Sequence, residues 1–184
     1  MLGGSNIDGG NMSRERLMAR IFLGVRIALL VSMLLTVAFI FYNSSLPKQE
    51  SADASDKLGE IVEEILPDDT PVEDFVLTNL RKIAHFTEYG LLGIEIALYV
   101  LVFERRRWYV SLPISYACPF AVGFLDESIQ VLSERGPSIT DVWIDIGGYA
   151  TFASLAYLIG GAALLIIYFI RKRMQASAPE GEES

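Results

Sequence analysis

Four apolar runs dominate the chain: Ile21 to Tyr42, interrupted by Arg26, then Ile83 to Phe103, Trp108 to Leu132 and Val142 to Ile170. Each supplies the roughly 20 helical residues needed to cross about 30 Å of hydrocarbon, and the last is long enough to tilt or to extend beyond it. The pattern predicts an all-α integral membrane bundle of four transmembrane helices spanning about 21–42, 83–103, 108–132 and 142–170. The first run follows Arg14, Arg16, Arg20 and Arg26, as a secretory leader would. It continues to Tyr42, however, and ends in "NSSLP" without a small-residue cleavage motif, so it reads as a retained helix.

Between the first two runs lies a loop, 43–81, with a helical pattern of its own. Leu58, Ile61, Val62 and Ile65 recur at i, i+3, i+4 and i+7, with Glu60, Glu63 and Glu64 between them, predicting a short extracytoplasmic amphipathic helix. Its negative charge favours packing across the helix ends over lying on anionic lipid. "TPVE" then places Thr70 as an N-cap, Pro71 at the first helical position and Glu73 for a capping box. Nothing from Val72 to Phe103 forces a break, so the second membrane helix is expected to start before the hydrocarbon and enter it near Ile83.

Composition agrees with this class. Of 184 residues, 52% are hydrophobic and the mean hydropathy is +0.37, more apolar than an ordinary soluble domain. The net charge of -8 carries little information about partners, because ten of the 23 acidic residues fall between Glu50 and Asp74. A single cysteine, Cys118, excludes a disulfide framework and a cysteine-based metal site, and reads as a small buried apolar residue. No nucleic-acid partner is implied.

Basic residues beside the spans orient them. Arg14, Arg16 and Arg20, then Arg105 to Arg107, then Arg171 to Arg173 all fall on one side of a four-span protein. Lys48, Lys57, Arg81, Lys82 and Arg135 fall on the other, diluted by the acidic loop. Both termini are therefore expected in the cytoplasm. Residues 1–19 read as a disordered cytoplasmic tail and 171–184 as a cytoplasmic tail with a disordered end, flanking a membrane domain at 20–170.

This topology gathers the ionisable residues of three helices at the outer face. Lys82, His85, Tyr89 and Leu92 share one face of the second span, with Glu88 and Glu95 stacked beside it. Asp126 and Gln130 share a face of the third, next to Glu127, and Asp141, Asp145 and Gly148 share a face of the fourth. Arg135 lies in the intervening loop. Charged groups at membrane depth are costly, so their co-location marks a candidate functional site. Each has a structural reading too. His85 would snorkel to the interface, Asp141 would cap the fourth span, Glu95 would pair with Arg107 or with a polar group in the bundle, and paired glycines would permit close helix packing.

The same residues carry a resemblance. "RKIAHFTEYGLLG", "DESIQ" and "RGPSITDVWIDIGG", in that order, resemble the motifs of the VanZ family, named for a membrane protein associated with resistance to the glycopeptide teicoplanin; "SSLP" after the first span fits as well. The resemblance implies that His85, Glu88, Tyr89, Asp126, Glu127, Gln130, Arg135, Asp141 and Asp145 are the family-motif positions. Ile129 stands where many members have histidine, Glu134 where they have glycine, and Phe152 where they have a small residue. The missing second histidine argues against a histidine-pair metal site, and no metal ligands or cofactor are assigned.

The resemblance implies a multi-pass protein of the bacterial plasma membrane that affects envelope sensitivity to lipid-tailed glycopeptides through a polar outer site. Membrane lipids, lipid-linked envelope precursors or the glycopeptide itself are the partners expected, with Arg135 and Lys82 near enough to contact phosphate. It carries no reaction. The alternative is an intramembrane hydrolase or transferase with His85, Glu88 and Asp126 as catalytic candidates, Arg135 stabilising negative charge, or carboxylates holding a hard cation. A small transporter or proton relay ranks below both, since neither repeats nor broken helices occur.

Overall fold

The computed structural model describes residues 6–65, 70–133 and 138–176. They form five α-helices: α1 (Asn6–Ser45), α2 (Lys48–Ile65), α3 (Pro71–Phe103), α4 (Trp108–Leu132) and α5 (Ile139–Ala176), with one 3-10 turn, Arg105–Arg107, between α3 and α4. Four of them, all but α2, are long and apolar enough to cross a membrane, so the chain is a membrane-embedded helical bundle. Large apolar side chains point outward along these helices, with Leu34 and Leu158 each 70% exposed. In water such a surface would be an aggregation hazard; in hydrocarbon it is the solvated face.

Two boundaries differ from the sequence expectation. Residues 6–19, expected to be disordered, continue α1 as helix, and α5 runs on through Arg171–Arg173 to Ala176. Residues 12–20 are mostly good helix formers, and adding a residue to an existing helix avoids the cost of nucleation, so the spans propagate beyond their apolar limits. The loop 43–81 is likewise mostly helical. Its amphipathic helix begins at Lys48 rather than near Leu58, and α3 starts at Pro71 as expected, with the Thr70 hydroxyl accepting from the Glu73 N–H at 3.2 Å. Buried Gly59 lets α2 rest on Leu77 and Leu80 of α3.

The tightest crossing joins α3 and α5. A Cβ on Gly148 would collide with the Phe86 carbonyl, and one on Gly93 would lie 2.7 Å from the Tyr149 carbonyl oxygen, so both helices approach backbone to backbone. Tyr89, Leu92 and Ala97 of α3 pack there against Tyr149 and Ala153 of α5, with Ile40 of α1 and Val122 of α4 completing the core.

A proline fixes the α4 side of this core. Pro119 has no N–H to offer the Ser115 carbonyl one turn earlier, and that carbonyl instead accepts the Tyr149 hydroxyl at 2.6 Å. The Ser115 hydroxyl bonds the Leu112 carbonyl at 2.7 Å and the Tyr157 hydroxyl at 2.9 Å. The polar groups left by a membrane proline are thus satisfied within the bundle.

Candidate functional site

The antiparallel arrangement brings the C-terminal ends of α1 and α4 to the N-terminal ends of α3 and α5. Ser133 of α4's cap bonds the Ser45 carbonyl of α1 at 3.2 Å, and Asn43 of α1 donates to Glu88 of α3 at 2.7 Å. At this end His85 of α3, Asp126 of α4 and Asp145 of α5 converge. His85 Nδ1 lies 3.2 Å from Asp145 Oδ1 and 4.0 Å from Asp126 Oδ2. His85 is 8% exposed and both aspartates are fully buried. The depth expected from the spacing of these residues therefore becomes actual contact between three helices.

A polar chain leads outward from the cluster. Gln130 Nε2 donates to Asp126 Oδ2 at 3.2 Å, as its position one turn later on α4 requires. Arg81 Nη2 donates to Gln130 Oε1 at 2.9 Å and stands 3.9 Å from Asp141 Oδ2. Glu127 turns away from the cluster and accepts the Ser138 backbone N–H at 3.1 Å. Ser138, not Asp141, caps α5: its hydroxyl accepts from the Asp141 N–H at 3.3 Å, which leaves the Asp141 carboxylate free to face Arg81.

The other expected residues separate. Lys82 is exposed, at the mouth of a small cleft it shares with Arg81, His85 and Asp141. Tyr89 is fully buried, its hydroxyl beside the space above Gly123 and without a hydrogen-bond partner among the described residues. Arg135, and with it the Glu134 departure, lies outside the described residues. Glu95 pairs not with Arg107 but with two hydroxyls of α1: Ser32 at 2.5 Å and Thr36 at 3.2 Å. Of the catalytic candidates, His85 and Asp126 join the cluster, whereas Glu88 binds Asn43, and Asp145 is the carboxylate nearest His85.

Sequence reasoning missed three contributors. Arg81 links α3 to α4 and α5, and its place one turn before His85 was the available signal. Asn43 and the buried Ser44, which adjoins Asp126, come from the polar end of α1. That they face the cluster is a matter of helix rotation, which the apolar run does not encode.

Beside the cluster lies a cleft of about 390 Å³ between α1, α2 and α3. Asn43, Lys57, Arg81, His85 and Glu88 line it together with large apolar side chains such as Phe39 and Ile61. Phe39 and Glu88 also line a second groove of about 360 Å³, which runs between α1 and α3 past Leu35 and Leu91 toward Glu95. The two therefore share part of their lining.

The family model described as VanZ/LLP1 matches residues 29–160, from within α1 to the middle of α5. The chain belongs to the VanZ/LLP1 family. No curated protein and no solved structure is significantly similar to it. All residues of the three-helix cluster lie inside the VanZ/LLP1 match. Phe152, where a small residue was expected, seats its ring against Gly90 and meets Phe86 edge to face at 5.9 Å, so the glycine on α3 makes room for the extra bulk on α5.

Proposed function

We propose that this VanZ-family membrane protein holds the headgroup of a membrane amphiphile, a phospholipid or lipid-linked envelope precursor, and thereby affects envelope sensitivity to lipid-tailed glycopeptides such as teicoplanin. One observation carries the reading: the cleft between α1, α2 and α3 is lined both by cationic and hydrogen-bonding groups and by large apolar side chains, and it shares Phe39 and Glu88 with a groove between α1 and α3. A phosphate or comparable anion would meet Arg81 and Lys57, and an acyl or isoprenoid chain would follow Phe39, Leu35 and Leu91. Guanidinium geometry suits a phosphate oxygen pair. The excess of arginine at the opposite ends of the helices supports an outer-leaflet position for the cleft, with both termini cytoplasmic in a bacterial plasma membrane.

The test is native mass spectrometry of the detergent-purified protein with anionic phospholipid and with undecaprenyl phosphate, alongside teicoplanin tolerance in a strain expressing it. Arg81→Ala should lower lipid occupancy and tolerance together at unchanged membrane abundance, while Arg106→Ala at the other end should change neither. Unaltered occupancy and tolerance in Arg81→Ala would remove the reading. Conversion of either lipid to a new mass, lost in His85→Gln, would replace it with the intramembrane enzyme, which the 3.2 Å His85–Asp145 pairing next to the cleft favours as the second reading.

A further inference from the structure

In the three-helix cluster His85 Nδ1 faces Asp145 Oδ1 at 3.2 Å without a well-aligned hydrogen bond, Asp126 Oδ1 has only the adjoining Ser44 beside it, and Asp145 Oδ2 has no hydrogen-bond partner among the described residues. An orphaned buried carboxylate oxygen costs on the order of 1–3 kcal/mol or more, and the cost grows when the group is charged. Ordinary packing does not explain the arrangement, since among the described residues neither aspartate pairs with arginine or lysine. Histidine contributes at most one positive charge against two carboxylates. A divalent cation would balance both.

The geometry fits. One donor atom from each of His85, Asp126 and Asp145 lies within 4.8 Å of the others. Two ligands about 2.0–2.2 Å from one ion stand about 3.3–3.6 Å apart at the tetrahedral angle; the His85–Asp145 distance of 3.2 Å matches that spacing, and Asp126, at 4.0 Å from His85, has to close by about half an ångström. The three ligands come from three different helices, each held in place by the glycine crossing of α3 and α5 or by the Asp126–Gln130–Arg81 chain, the kind of outer support that orients metal ligands.

We infer that His85, Asp126 and Asp145 form a binding site for one divalent first-row transition-metal cation, Zn²⁺ or Mn²⁺. The imidazole favours these over Ca²⁺, which takes oxygen ligands alone, and the paired carboxylates disfavour Cu⁺. Three protein ligands leave at least one coordination position open, as in metal sites that engage an exogenous oxygen ligand. His85 lines both adjoining clefts, so an oxygen donor would reach that position from them. The site does not rest on the headgroup reading, and it is tested without lipid.

The detergent-purified full chain is stripped with chelator, dialysed and titrated with Co²⁺ alone. Visible d–d absorption should saturate at one Co²⁺ per chain and be displaced by Zn²⁺. Asp145→Asn and His85→Gln should each weaken binding at least about 100-fold, more than loss of an outer-shell partner does, while Glu95→Gln, a buried carboxylate outside the cluster, should bind as the wild type. X-ray absorption of the Co²⁺-loaded wild type, which needs no variant to fold, should show one imidazole among oxygen donors. A helical, monodisperse wild type that binds neither Co²⁺ nor Zn²⁺ overturns the site. So does a metal shell without imidazole, or unchanged affinity in both cluster variants.

Discussion

Removing the Tyr149 hydroxyl should destabilise the bundle only while Pro119 is present. In Tyr149→Phe the Ser115 carbonyl loses its 2.6 Å partner in a region where Tyr149 is fully buried. A buried acceptor left unpaired costs about 1–3 kcal/mol, but hydrogen bonds between membrane helices average about 0.6 and reach about 1.7 kcal/mol, because the expanded chain also finds partners. The carbonyl has no intrahelical alternative here, so the upper part of that range, about 1–1.5 kcal/mol, is expected. Pro119→Ala restores an N–H at the position that closes the α4 ladder onto Ser115, and in that background Tyr149→Phe should cost about 0.5 kcal/mol or less. Pro119→Ala also leaves a small void of its own, but the void is common to both arms of the cycle and cancels. The assay is reversible unfolding in mixed micelles with increasing denaturing detergent, followed by circular dichroism for the four proteins. An equal cost of Tyr149→Phe in both backgrounds, within about 0.3 kcal/mol, would refute the claim that this tyrosine compensates the proline.

Two further outcomes follow from the packing and the topology. Gly148→Val places a branched side chain against the Phe86 backbone, which cannot yield as a side-chain tip can; it should lower stability by about 3 kcal/mol or more, read as a lower melting temperature and reduced folded yield in detergent, whereas Gly161→Val, with open space around it, should change stability by about 0.5 kcal/mol or less. In a Cys118→Ser background, Ser138→Cys should react with an impermeant maleimide in intact cells and Arg106→Cys only after permeabilisation. The opposite pattern would invert the membrane orientation and with it the outer-leaflet placement of the cleft.

Much of the architecture was legible because it rests on local chemistry. Four apolar runs of membrane length, the Thr70-Pro71-Glu73 helix start and the i, i+3, i+4 pattern of Leu58 to Ile65 each reflect a preference the backbone expresses without distant partners. Spacing alone also placed His85, Asp126 and Asp145 at one end of the bundle, since antiparallel spans of known length carry their termini to predictable depths. Helix ends were less legible. The composition of residues 6–19 speaks of solubility, whereas helix there is decided by extension from an already formed span.

Partner choice belonged to the tertiary structure. Which carboxylate faces His85, why Glu88 turns to Asn43, why Glu95 finds Ser32 and Thr36, and why Arg81 rather than Lys82 bridges the helices all depend on the rotation of each helix about its axis. That rotation is set by the closest approach available, here Gly93 and Gly148 admitting backbone against backbone, and by the need to satisfy the Ser115 carbonyl that Pro119 frees. In hydrocarbon an apolar stripe has no core to seek, so the sequence determined the spans and the depth of their polar residues, while steric fit and polar satisfaction between helices decided which of those residues meet.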